Sequence, residues 1–197
     1  MTLFKIKDFE PDYQSHADNQ DIKSLDLYLG NDKIGSIDDV LVDDEGQFRY
    51  LVIKVGFWGF VGLGKRVLLP IGCARIDYGD RRVYAKHLTQ EQVEALPELT
   101  EDMKVDYDYE EQVRKIYRSS NAPASYGVGY AGAQSAPPTV NTAPILDLDV
   151  GYAGYDRSSY TYGQDPELYN IDEQDHQGLK IYQQRLVAQR MRQKAEH

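Results

Sequence analysis

Cysteine is nearly missing from this 197-residue chain. Cys73 is the only one, so no intramolecular disulfide can form. Set beside Ile71 and Ala74, it reads as a buried small hydrophobe rather than a nucleophile. Met1–Gln14 has no charged-then-apolar leader, which sets the cytoplasm as the expected location. Long apolar runs are lacking too. Leu51–Ile71 approaches the length of a spanning helix, but Lys54, Lys65, Arg66, four glycines and Pro70 interrupt it. Charge at mid-span and helix breakers of this kind exclude a transmembrane helix and fit two strands and a loop.

Excess positive charge is also absent: 22 Lys and Arg stand against 32 Asp and Glu, a net charge of −10. Residues 1–119 hold 16 of the bases and 23 of the acids, and residues 120–178 hold one Arg and eight acids. Residues 179–197 reverse the sign, with five bases and one Glu. An acidic body repels a phosphate backbone, so nucleic acid is not an expected partner. The basic end matches what the C-terminal pole of a helix favours.

No grouping of reactive side chains is visible. His16, His87, His176 and His197 are far apart and lack metal-ligand spacing with Cys73. Asp38-Asp39 and Asp43-Asp44-Glu45 lack the alternation of a calcium loop, and adjacent carboxylates on a strand point to opposite faces. Gly59 to Lys65 fits G-x-x-x-x-G-K. Arg66 follows where a phosphate loop needs Ser or Thr, and a strand-like run follows where it needs a helix. Arg81-Arg82, beside Tyr78 and Tyr84, form a small basic-aromatic spot expected to pair with Asp77 and Asp80. No catalytic residue, metal or cofactor is therefore expected.

What is present is a series of short β-rich runs with polar turns. They cover Ile22–Tyr28, Lys33–Val42, Gln47–Val55, Arg66–Leu69, Cys73–Ile76 and Arg81–Lys86. Gln47–Val55 is apolar at both parities and should be buried on both faces. Six such strands without long helices between them predict a mainly β chain folded as a small six-stranded barrel. Thr89 and Gln92 form a capping box for a short helix, Gln90 to Leu96, ended by Pro97. A second helix is expected from Asp108, with Tyr109, Val113, Ile116 and Tyr117 on one face.

The composition divides the chain further. Residues 1–20 read as a flexible N-terminal segment, 21–99 as the barrel and 100–119 as a helical extension. Residues 120–164, rich in Gly, Ala, Ser, Pro and Tyr, read as a disordered linker that includes Tyr160 and Tyr162. Residues 165–197 open on the helix-start signal Asp165-Pro166-Glu167 and form an amphipathic helical tail. Its stripe of Leu179, Tyr182, Leu186, Val187 and Met191 must dock on the barrel, pair with a copy of itself, or meet another protein.

These runs resemble a known family. Lys33-Ile34-Gly35, Asp38 to Asp43, Arg49 to Ile53, Val67 to Pro70 and Leu88 to Val93, in that order, are similar to the PRC-barrel family. That family takes in the cytoplasmic domain of the photosynthetic reaction-centre H subunit and the C-terminal half of the ribosomal RNA processing factor RimM. Tyr107 to Glu110, the Gly/Tyr linker and the phrase Leu179 to Val187 resemble bacterial, often cyanobacterial, stress-associated proteins with such a barrel. In those proteins the last phrase opens a second domain, and here the chain reads as the start of one cut short.

The resemblance implies a non-catalytic protein-binding or assembly module in stress or photosynthetic physiology. It would be cytoplasmic or peripheral to a membrane complex, and able to self-associate. The alternative it implies is a ribosome-assembly or RNA-associated adaptor of the RimM kind. The residues themselves supply one candidate partner surface: Phe57, Trp58, Phe60, Val61 and Leu63, an apolar cluster set among glycines.

Overall fold

The computed structural model describes residues 2–12, 21–23, 25–56, 64–100, 104–121, 157–172, 174–176 and 178–195. Two units are distinguished. One comprises Met1–Asn121 with Thr161–His197, and the other Ala122–Tyr160, of which residues 157–160 are described as a turn. All that follows concerns the first unit.

Seven strands build one sheet: β1 (Leu3–Lys5), β2 (Asp26–Leu29), β3 (Asp32–Asp43), β4 (Phe48–Val55), β5 (Arg66–Pro70), β6 (Ala74–Asp77) and β7 (Arg82–Ala85). Six of them run in the order β5-β4-β3-β2-β7-β6 and curl as a half-barrel. All pairings are antiparallel except β2 with β7. The alternation of side chains along a strand sends Leu27, Ile34, Ile37, Val67, Leu69, Ile76 and Val83 into the core, each at most 4% exposed. In β4 the four residues from Tyr50 to Ile53 are all buried, as expected of a strand covered on both faces.

The β3–β4 turn is set by its own acids. Asp43 accepts the amides of Glu45 and Gln47 at 2.9 Å through one carboxylate oxygen and holds Arg49 through the other. Gly46 takes the left-handed conformation the turn requires (φ 85°).

The N-terminal residues differ from the expectation of a flexible segment. β1 pairs with the far half of β3, Leu3 opposite Asp43, where β2 does not reach. Helix α1 (Ile6–Phe9) follows and buries Ile6 completely. Twelve-residue β3 is simply longer than β2, and β1 fills the edge left open.

Helix α2 (Gln90–Ala95) carries the expected capping box, with both Thr89–Gln92 hydrogen bonds formed. Helix α3 (Tyr107–Asn121) starts one residue before the expected position. Asp106 caps it, accepting the Tyr109 amide at 2.9 Å. Residues 161–164, grouped with the linker on composition, are part of the folded unit: Tyr162–Gln164 is a 3-10 turn with Tyr162 buried. Helix α4 (Pro166–Tyr169) and helix α5 (Leu179–Ala195) complete the chain. Among the described residues no helix is long and apolar enough to cross a membrane.

Candidate functional site

Phe57, Trp58, Phe60, Val61 and Leu63 lie outside the described residues. Their frame is described. β4 and β5 stay paired through Lys54 opposite Arg66, and Val55 and Gly64 close the mouth of the loop with hydrogen bonds of 2.9 Å to Lys65 and 3.2 Å to Val55. After Lys65, strand β5 follows in place of a helix, and the Lys65 ammonium goes to the Glu94 carbonyl at 2.8 Å. A phosphate loop has neither feature.

The outer face of β4 is already occupied by the C-terminal segment of the chain. Phe48 packs beside Tyr182 of α5, centroids 5.8 Å apart, and Tyr50 meets Tyr169 of α4 edge-on at 5.5 Å. The free edges of the sheet are satisfied by the segments that follow it. The Phe48 amide donates to Gln183 Oε1 at 2.9 Å, and the Ile76 amide to the Asp175 carbonyl at 2.7 Å. On β5, Arg66 O accepts from the Leu99 amide at 2.7 Å and Leu68 O from the Tyr117 hydroxyl at 3.0 Å. Buried His176 accepts the Asp172 amide at Nδ1 and, through Nε2, donates to the Ile71 carbonyl at 2.8 Å. Uncovered edges invite pairing with foreign strands, and here the tail removes that hazard.

At the centre of the contact lies a buried polar cluster. Glu110 Oε2 accepts from Tyr50 (2.9 Å), Tyr162 (3.0 Å) and Arg114 (3.1 Å). Because the Tyr50 hydroxyl donates to Glu110, its oxygen is left to accept from Tyr169. Arg114 also holds Glu111, and Arg118 ties Glu111 to Asp165 just before α4. Burial pushes the Glu110 carboxyl above the ordinary range, while Arg114 and the two hydroxyls pull it back. Burial likewise raises the Tyr50, Tyr162 and Tyr169 hydroxyls, so all three stay protonated donors. Every member is engaged in holding α3 and the 161–169 segment on β4. This is clamp chemistry, with no group left poised to react.

An open cleft of about 580 Å³ lies where α4 meets the turn after β5, lined by Gly72, Cys73, Lys86, His87, Glu167 and Asp172 among others. A thiol, an imidazole and two carboxylates around one cleft would invite a catalytic reading. Cys73, however, is 2% exposed and its thiol is pushed up to about 12 by burial, the reverse of an activated nucleophile. Lys86 is spent on Asp175 at 2.6 Å. Among the described residues no three His, Cys, Asp or Glu side chains are arranged to hold a metal. Asp38 pairs with Arg66, Asp39 with Lys23 and Asp43 with Arg49.

Residues 18–92 match the family model of the PRC-barrel domain. This segment is a PRC barrel. No curated protein matches the chain. The matched segment is well under half of the chain. The elements that cover the PRC barrel, α3 to α5, lie beyond the match, while the sheet and its loop lie within it. Sequence reasoning missed the clamp. The repeat Glu110, Arg114, Arg118 at helical spacing was the one local signal of it.

Proposed function

We propose that the protein is a non-catalytic assembly module whose PRC barrel captures polypeptide on its outer surface. PRC-barrel domains are generally protein-interaction modules without catalysis. The observation that carries the reading for this chain is the docked tail. The barrel holds thirty-odd residues of chain through edge amides and core tyrosines, while its thiol and buried carboxylate are spent on structure. The loop Phe57, Trp58, Phe60, Val61, Leu63 is the proposed contact for a protein partner. We place the protein in the cytoplasm, peripheral to a membrane complex, in stress or photosynthetic physiology, and able to self-associate.

The test is affinity capture from the native host with mass spectrometry of what is retained, comparing wild type with Trp58→Ser/Phe60→Ser. Selective loss of one protein partner by a variant that still melts cooperatively is expected. Unchanged retention removes the loop from the reading. Recovery of ribosomal particles, weakening steeply with salt, would replace it with an RNA-associated role.

A further inference from the structure

On the outer face of β3, β2, β7 and β6 four residues stand at successive register positions, one on each strand. Lys33 lies opposite Tyr28, Tyr28 beside Tyr84, and Tyr84 opposite Arg75. Their neighbours Leu27, Ile34, Val83, Ala74 and Ile76 point into the core, so the row faces out. Arg82, two residues before Tyr84, shares that face.

The two guanidiniums lie over the rings. Arg75 stands 4.4 Å over Tyr84 and Arg82 4.8 Å over Tyr28, with the two rings 5.8 Å apart. Arg82 and Arg81 were expected to pair with Asp77 and Asp80, and Arg82 does not. Asp77 is turned back to the Asp80 amide at 3.0 Å, and Asp26 is neutralised by Lys33 at 2.7 Å. Elsewhere Lys23, Arg49, Arg66, Lys86, Arg114 and Arg118 all hold carboxylates. Arg75 and Arg82 form no ion pair among the described residues, in a chain where acids outnumber bases 32 to 22. Arg82 also hydrogen-bonds the Tyr84 side chain and feels the Asp80 charge; a guanidinium held over a ring is already ordered, so little entropy is lost when its remaining N–H groups grip a carboxylate.

We propose that this face docks a partner protein through an extended acidic segment, its carboxylates on Arg75 and Arg82 and its apolar or aromatic side chains against Tyr28 and Tyr84. Arg75 is exposed and Tyr28, Tyr84 and Arg82 are half-buried, and Tyr and Arg are the residues that carry binding energy at protein interfaces. With strands about 4.8 Å apart the row spans about 14 Å, the length of four to five extended residues. A single-stranded nucleic acid fits less well. It needs a continuous basic track for its phosphates, and Asp26 and Asp77 interrupt this one. The inference rests on the protein-binding reading only in that the ligand is a polypeptide, and its residues differ from those of the loop.

The test uses the full chain and a fluorescent random copolymer of glutamate and tyrosine, with single-stranded polyuridylate as the competing probe. Wild type should bind the copolymer in preference to the RNA. Arg75→Gln/Arg82→Gln should weaken it by about tenfold or more, the scale of losing charge-assisted hydrogen bonds. The charge-matched double variant Arg185→Gln/Arg192→Gln on exposed α5 should bind as wild type, and so should Trp58→Ser/Phe60→Ser. Failure of wild type to bind the copolymer, equal weakening in both Arg double variants, no weakening in either, or preference for the RNA would each overturn the proposal. None of those results bears on the loop.

Discussion

Glu110 and Cys73 show how burial disarms groups that in an open cleft would be reactive. The Cys73 thiol, pushed up to about 12, should resist alkylation by iodoacetamide at pH 8 in the folded chain and react fully in urea. Rapid labelling of the native protein would contradict its burial. Glu110 is the shared acceptor of three donors, and Glu110→Ala removes that acceptor from Tyr50, Tyr162 and Arg114 in a buried cluster. Loss of one partner from such a buried pair costs about 3–5 kcal/mol, read as a lower urea midpoint.

The sign of the pH dependence follows from burial. The folded-state pKa of Glu110 lies above its unfolded value, so its favourable contribution is full below the unfolded value and is lost as pH rises through the folded one. The advantage of wild type over Glu110→Gln should therefore shrink between acid and neutral pH, and a growing advantage would contradict the raised value. Nothing at this scale was readable beforehand for Tyr162. Its Gly/Tyr surroundings speak of linker, and only an acceptor 52 residues earlier makes it core.

Among the elements, what was legible was local. The alternation in β3 and β4, the Asp43–Gly46 turn and the Thr89–Gln92 capping box are each decided by residues within a few positions of one another. What was not legible depends on distant partners. β1 exists because β3 outruns β2, and α5 docks because Gly46 leaves room, with the site of its missing Cβ 3.2 Å from Leu186 Cβ. The expected stripe on α5 is therefore only half used: Leu179, Tyr182 and Leu186 are buried and Met191 is 67% exposed. In the turn cluster Asp44 and Glu45 are exposed while Asp43 is buried against Arg49, and in the other cluster Asp39 is buried beside Lys23.

Gly72 gives the sharpest test at this level. A Cβ there would sit 2.6 Å from the Glu167 carbonyl oxygen and 2.8 Å from that of Leu168, backbone atoms that cannot swing aside. Gly72→Ala should cost about 1–3 kcal/mol and make residues 161–170 the first site of limited proteolysis. An unchanged cleavage pattern would mean that α4 is not seated on this turn. Leu186→Ala should cost about 2–5 kcal/mol as a buried truncation, with exchange of the α5 amides rising first.

For the molecule as a unit, the PRC barrel supplies the scaffold and the segments after it finish the surface. The Arg–Tyr face and the tail-covered edge are two different parts of one sheet. The edge and the outer face of β4 hold polypeptide already. The proposed function extends that capacity to a second protein and leaves chemistry to others. It depends on the C-terminal segment being bound on the barrel as part of one cooperative unit. The most direct measurement is native-state amide exchange at Phe48 and Ile76 in the full chain. These amides face outward from the sheet and have Gln183 and Asp175 of the tail as their acceptors. They should exchange as slowly as the β3–β4 ladder and together with it. Exchange at the rate of an open strand edge, with the ladder still protected, would show that the tail does not occupy the barrel.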